Sequence, residues 1–292
     1  MTIRSDMIRA AAQAKIHLRD SVSAAAEYLR SHQNADGGFC NRAGISDLYY
    51  TVFAIEGLFA LGADFDRDRA GRYLRTFDAG DSLDFVHLAC LIRAWTDLSD
   101  GSLDAPLRDG LLRNLLAYRS EDGGFADAVG ADSGTAYGCF LGLAACQDLA
   151  HSMTDPARFV ASVARLRRED GSFANDIHSA DGSTPATAAA MVTLHQLGLG
   201  GFEQQIAWLL KRTRAIGGFI ATPRAPMQDL LSTATALHAL ATVRADFEHV
   251  KRPCLEFVDS LWEPLGGFCG TWMDDTVDCE YTFYGLLALG NL

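Results

Sequence analysis

The chain has 292 residues, of which 49% are hydrophobic, and it carries no Pro/Ser-rich linker or low-complexity tail. That is enough to bury a large core, and a single globular domain spanning residues 1–292 is expected. The formal net charge of -12 excludes nucleic acid or an anionic membrane as the main partner, because either would need a concentrated basic patch.

Taken in chain order, the first segment, "MTIRSDMIRAAAQAKIHLRD", is amphipathic and lacks the continuous apolar core of a signal peptide. No apolar run further on approaches the ~20 residues that a membrane helix needs, so no integral membrane segment is expected. The seven cysteines (Cys40, Cys90, Cys139, Cys146, Cys254, Cys269, Cys279) are odd in number, form no Cys-x-x-Cys pair and fall mostly in apolar helical stretches. This usage predicts a reduced, cytoplasmic protein.

A Gly-Gly-Phe signal then recurs, in "NADGGF" ending at Phe39, "SEDGGF" at Phe125, "REDGSF" at Phe173, "RAIGGF" at Phe219 and "EPLGGF" at Phe268. The intervals are 86, 48, 46 and 49 residues. The first is about double the rest, and "YLRTFDAGDSLDFVHLACLIRAW" supplies the missing unit with its Gly-Gly-Phe turn deleted. Each of the six units pairs an amphipathic helix, such as "FVASVARLRRED", with a helix apolar on nearly every face, such as "STPATAAAMVTLHQLG". A helix apolar all round is buried all round, so the units predict two concentric rings: an all-α, (α/α)6 toroid of six helical hairpins with essentially no sheet. An open solenoid would require a wet face that the inner helices lack.

Aligning the inner helices puts Asp47, Asp84, Asp132, Ser183, Asp229 and Asp278 at one place, where each is expected to cap its helix. Function is sought where the units disagree. Two residues past the cap stand Tyr49, Val86, Gly134, Pro185, Leu231 and Glu280, and Glu280 is the only charge. Three past it, Tyr50, His87 and Tyr281 are the large polar residues. Aromatic side chains fall along the same helices at Tyr49, Tyr50, Phe53, Phe85, Tyr137, Phe140, Phe283 and Tyr284, with Trp272 in the last loop. Around a central hole they would favour a long apolar ligand and stabilise a cation by about 0.5–2 kcal/mol each.

On the Gly-Gly-Phe turns and the closing "LGGFCGTWMDDTVDCEYTFYGLLALG", the whole chain resembles the superfamily of protein prenyltransferase β subunits and squalene/terpenoid cyclases. The resemblance implies the toroid and an isoprenoid substrate. The transferases of that family hold zinc with an Asp-x-Cys pair and a His; the matching positions here are Leu230, Ser232 and Tyr281, so no zinc is expected. Of their diphosphate-binding group only Arg224 is matched, with Met227, Ser183 and Thr233 at the Lys, His and Tyr positions. The cyclases protonate an alkene with the middle acid of Asp-x-Asp-Asp-Thr. Here "DCEYT" puts Glu280 in that place and Tyr281 where the last Asp would be.

The expected function is therefore isoprenoid processing by a metal-independent, proton-initiated, cyclase-like step. The catalytic candidates are Glu280, Tyr281 and His87, and the substrate-binding candidates are Tyr49, Tyr50, Phe85, Tyr137, Arg224, Trp272 and Tyr284. "DDTVD" matches the magnesium-diphosphate pattern DDxxD, but it precedes the helix, so magnesium would enter only through Asp274 and Asp275. Two alternatives stand beside this reading: a β-like subunit that needs a helical α partner, and a non-catalytic toroid that binds an isoprenoid, a lipid or a protein.

Overall fold

The computed structural model describes residues 1–99 and 103–292. After an N-terminal helix α1 (Ile3–Ala11) and the short α2 (Lys15–Leu18), outer and inner helices alternate: α3 (Val22–Ser31), α4 (Leu48–Leu61), α5 (Arg67–Arg75), α6 (Phe85–Leu98), α7 (Ala105–Leu116) and α8 (Ala136–Asp148). The series continues with α9 (Pro156–Ala164), α10 (Thr184–Gln196), α11 (Glu203–Leu210), α12 (Leu230–Thr242), α13 (Glu248–Asp259) and α14 (Cys279–Asn291). The even-numbered helices from α4 to α14 pack each on the next, and α14 packs back on α4. The ring is therefore closed, and the open-solenoid alternative does not apply.

The division into layers follows from side-chain pattern. Outer α5 buries Ala70, Gly71, Tyr73 and Leu74 and leaves Arg67, Asp68, Arg72 and Arg75 exposed. Inner α4 buries residues on every face, Glu56 included. The phenylalanine of each turn is the bolt between layers. Phe39, Phe125, Phe219 and Phe268 are buried to 1% exposure or less, and their backbone N–H groups donate to the inner helix, to Thr51, Cys139, Thr233 and Thr282 respectively. The ring of Phe125 sits where a Cβ on Gly142 would lie, 2.3 Å away, so that position needs glycine. The first glycine of each turn has φ between +89° and +108° (Gly37, Gly123, Gly171, Gly217, Gly266). At Gly217 a Cβ would also fall 1.8 Å from the Pro253 carbonyl oxygen of the next outer helix.

The fold is all-α with little sheet, as expected. What sheet there is lies in the fifth and sixth loops as short antiparallel ribbons, β1 (Phe219–Ile220) with β2 (Gln228–Asp229), and β3 (Trp262–Glu263) with β4 (Gly267–Thr271) and β5 (Asp274–Val277). In β1–β2 and β4–β5 the chain leaving a Gly-Gly-Phe turn runs back along the chain entering the inner helix, as in Phe219 opposite Asp229, and β3–β4 pairs the two sides of the turn itself. One expectation is corrected, and it concerns the caps. Asp47, Asp84, Ser183, Asp229 and Asp278 accept first-turn N–H groups as expected, but α8 is capped by Thr135, whose hydroxyl accepts from Gly138 N–H at 2.9 Å. Asp132 lies three residues too early.

Helix α1 closes the end of the ring opposite the caps, packing on α14, α4 and α8. Ile3 N–H donates to Gln147 Oε1 at 2.8 Å, and Arg4 binds the carboxylates of Asp97 and Asp148 at the ends of α6 and α8.

Candidate functional site

The N-termini of the six inner helices form one rim, and a cavity of about 390 Å³ runs down from it. Its wall is written at a period of about 3.5 residues. Two past the caps it takes Tyr49, Tyr137, Pro185 and Leu231; six past, Ala189, Thr235 and Tyr284; nine past, Val192, His238 and Leu287. Seven residues of helix make the wall about 10 Å deep. Met7 of α1 contributes from the base, and Asn175 and Ser183 from the rim.

Glu280 stands two past the Asp278 cap, in the same rank as Tyr49 and Tyr137. The Tyr49 hydroxyl donates to its Oε1 at 2.6 Å, so the carboxyl joins the site through a tyrosine that is itself part of the cavity wall. Burial raises the Glu280 pKa, and the neighbouring Asp278 carboxylate raises it further, against the lowering by the Tyr49 hydrogen bond and by Arg42. Tyr49 lies edge-on to Phe53 with ring centroids 4.9 Å apart, and Phe53 lies 5.4 Å from Tyr284. The acid therefore borders a cluster of aromatic rings.

Behind it, Arg42 of the first loop donates to Asp278 Oδ2 at 2.7 Å and to Asp274 Oδ2 at 2.8 Å. It also lies 5.6 Å from the ring centroid of Tyr281. This arginine ties the first unit to the last and occupies two of the three carboxylates of "DDTVD". Asp275, the third, is exposed. The zinc positions do not fit a metal either, because Leu230 is a buried hydrocarbon and the Tyr281 ring is packed against Gly270. Among the described residues no three His, Cys, Asp or Glu side chains converge as a metal-binding group.

The other candidates are sorted by which way their helix position faces. Tyr49, Tyr137 and Tyr284 line the cavity. Tyr137 does so because Thr135 is the true cap, which moves the tyrosine into the rank that the alignment had given to Gly134. Tyr50 is at the rim, edge-on to Tyr49 at 5.8 Å. His87 bridges two caps there, with Nδ1 2.8 Å from Asp84 and Nε2 3.8 Å from Asp47, and is not part of the cavity wall.

Three candidates face elsewhere. Phe85, one residue past its cap, is turned toward the outer layer, with Tyr118 at 5.1 Å and Phe125 at 6.2 Å. Trp272 donates to Ser260 Oγ at 2.8 Å and packs on Phe257 of α13, on the flank of the last hairpin. Arg224 is exposed and pairs with Asp181.

Three polar features were not anticipated. Glu56 and Arg93, nine past their caps, form a buried two-point ion pair at 3.0 and 2.6 Å. Asp97 and Asp148, thirteen past, share Arg4, and each leaves its Oδ2 buried without a partner; burial lifts the Asp148 pKa to about 6 and that of Asp97 well above the carboxylate range. His238, nine past Asp229, is 5% exposed, with neither ring nitrogen hydrogen-bonded. All of these break the apolar pattern of the inner helices, and of them His238 is part of the cavity wall.

The model for the prenyltransferase alpha-alpha toroid domain matches residues 7–81, 74–201 and 187–291. No curated protein sequence matches the chain. Among solved structures, the type II terpene cyclase MstE from Scytonema superposes with a TM-score of 0.65 at 15% identity, covering 94% of this chain and 97% of that one. A variant of that cyclase in complex with geranylgeranyl dihydroxybenzoate gives 0.64 at 15% identity, with 95% and 97% covered. Candida albicans protein geranylgeranyltransferase-I complexed with GGPP gives 0.65 at 12% identity, with 91% and 89% covered. At these identities the likeness shows the fold alone.

Proposed function

The chain belongs to the prenyltransferase alpha-alpha toroid domain family, and from that premise we propose that it is an isoprenoid-processing enzyme whose central cavity takes a polyprenyl chain and whose Glu280 starts the reaction by protonating an alkene. The observation that carries this reading is the Tyr49–Glu280 contact of 2.6 Å at the rim of a cavity walled by Tyr49, Tyr137 and Tyr284. Two structural neighbours were solved with geranylgeranyl compounds bound, which supports an isoprenoid as the ligand class.

In this mechanism burial raises the Glu280 pKa, and its protonated carboxyl passes the proton to a substrate carbon, while the alkene's π electrons form the new C–H bond. The carboxylate left behind accepts the Tyr49 hydroxyl, which steadies the charge as it develops. Tyr137, Phe140 and Tyr284 line the cavity wall, where a ring face turned to the resulting cation is worth about 0.5–2 kcal/mol. Loss of a proton from a neighbouring carbon to solvent, its C–H electrons forming the new alkene, and uptake of a solvent proton by Glu280 close the cycle, so the step needs no metal, and the residues at the zinc and DDxxD positions are not assigned one. Tyr281 and His87 are assigned to the rim, where they position Arg42 and the Asp47 and Asp84 caps rather than touch substrate.

The test is conversion of polyprenyl diphosphates and free polyprenes by the wild-type chain and by Glu280→Gln, with products resolved by gas chromatography. Turnover by the wild type and its loss in the variant are expected; equal activity in both would remove Glu280 from the mechanism. A binding-only toroid is the second reading. It draws support from the position of Glu280 beside the cavity wall rather than on it, and it predicts retained ligand without turnover.

A further inference from the structure

The central cavity is apolar over most of its surface, yet His238 lies at its deep end. The imidazole is 5% exposed and neither nitrogen has a partner. On the side of the base it faces the Asn291 side chain, which favours the protonated ring, and the Asp6–Arg9 pair; the other polar groups nearby are engaged. The Thr235 hydroxyl donates to the Leu231 carbonyl at 2.8 Å, the Thr242 hydroxyl to the His238 carbonyl at 2.8 Å, and the Asn291 amide to the Leu287 carbonyl at 2.7 Å. On its other side His238 also borders a second cavity of about 400 Å³ at the base, lined by Asp6, Arg9, His195, Gln196 and Asn291. Water in that polar space can meet one ring nitrogen. The apolar cavity offers nothing to the other.

Leaving a buried hydrogen-bonding group unmet is costly, and a site that holds such a group discriminates strongly for a ligand that meets it. Burial lowers the His238 pKa to about 4, so the ring is neutral, with one N–H donor and one lone pair. A neutral imidazole is no match for a diphosphate; Arg93, of the same rank, is taken by Glu56, and Arg9, which borders the second cavity, by Asp6.

We propose that the cavity selects an isoprenoid with a neutral oxygen function, a hydroxyl above all, at the end that reaches the floor, and that His238 is the residue that reads it. This rests on the reading of the cavity as an isoprenoid site and extends it to substrate class and direction: oxygen end down at His238, hydrocarbon end up at the rim beside Tyr49 and Glu280. His238 then determines specificity without taking part in the protonation.

The experiment uses two 15-carbon probes of one skeleton, farnesol and farnesene. The full chain is equilibrated with an equimolar mixture and freed of unbound probe, and the retained compounds are extracted and quantified. The expected result is a preference for farnesol of about tenfold or more in the wild type, lost in His238→Leu and in a second apolar variant, His238→Met, and kept in His238→Gln, which still donates and accepts. Because the apolar variants remove an unmet polar group, their melting temperatures are expected to equal or exceed that of the wild type.

Equal retention of both probes by the wild type would overturn the inference while leaving the cavity an isoprenoid site. A preference that survives in His238→Leu and His238→Met would overturn it by showing that the hydroxyl is met elsewhere, at the rim. Retention of neither probe would overturn the isoprenoid reading and this inference with it.

Discussion

Glu280→Gln separates chemistry from stability at a single side chain. The substitution keeps size and the ability to accept from Tyr49 but removes the transferable proton, so turnover is expected to fall by 10² or more, the scale of a lost general acid. The folded pKa of Glu280 is raised, so its proton is bound more tightly in the folded state, and ionisation costs stability as pH rises through that value. The glutamine variant should therefore melt at or above the wild-type temperature at neutral pH, measured by calorimetry; a marked drop would make Glu280 a structural residue. Tyr49→Phe removes the 2.6 Å hydrogen bond that favours the ionised form. In its pH–rate profile the alkaline limb, where Glu280 loses its proton, should move to higher pH, with a smaller loss of rate than Glu280→Gln.

Glu280 was legible in the sequence because it is the one charge in its rank. Its bond to Tyr49 was not, because the two residues lie 231 positions apart and meet only when the ring closes. Glu56, Arg93 and His238 stand in inner helices nine residues past their caps, about two turns below the rim, and on a helix buried on all faces the sequence does not tell which side meets the cavity.

At the scale of the element, the misplaced cap of α8 has a clear cause. Asp recurs at other caps and so points to Asp132, yet in three other units the side chain that holds the turn phenylalanine stands four residues past the cap: Thr187, Thr233 and Thr282 each follow that phenylalanine by 14 positions. Cys139 follows Phe125 by the same 14, and that spacing was available in the sequence to name Thr135. Thr135→Ala should cost about 1 kcal/mol in denaturant unfolding, and Asp132→Ala about 0.5 or less. The reverse order would restore the earlier register.

Helix α1 supplies the second element-scale test. Arg4 is the shared partner of two buried carboxyls, so Arg4→Leu strands them and should cost about 3–5 kcal/mol where both are ionised. Asp148 has a folded pKa of about 6, above the unfolded value of about 3.9. Its contribution to stability is thus greatest below the unfolded pKa and falls as pH rises through 6. The penalty in Arg4→Leu is therefore expected to be larger at pH 8 than at pH 5, where the carboxyls take up protons. A pH-independent penalty would contradict this account of the base. The sequence showed that the N-terminal segment is amphipathic, but a helix that covers the end of a ring can be placed only once the ring exists.

Over the whole molecule, the alternation of half-buried and fully buried helices carried the toroid, because a helix apolar on all faces has no stable place except inside a shell of others. The same argument could not sort the aromatic residues. At about 100° per residue, one step along a helix separates Phe85, packed outward on Tyr118 and Phe125, from the rank that lines the cavity. Loop residues such as Trp272 and Arg224 have no periodicity to read. The central claim is that the ring encloses an isoprenoid and opens its chemistry with a proton rather than by releasing diphosphate. The direct measurement is turnover in deuterated water with a metal chelator present, using geranylgeranyl diphosphate, geranylgeraniol and farnesol, with products analysed by mass spectrometry. The account predicts a rearranged product that carries one solvent deuterium at carbon and keeps its oxygen function, formed by the wild type and not by Glu280→Gln. Free diphosphate, a product without carbon-bound deuterium, or no product from any of the three would contradict it.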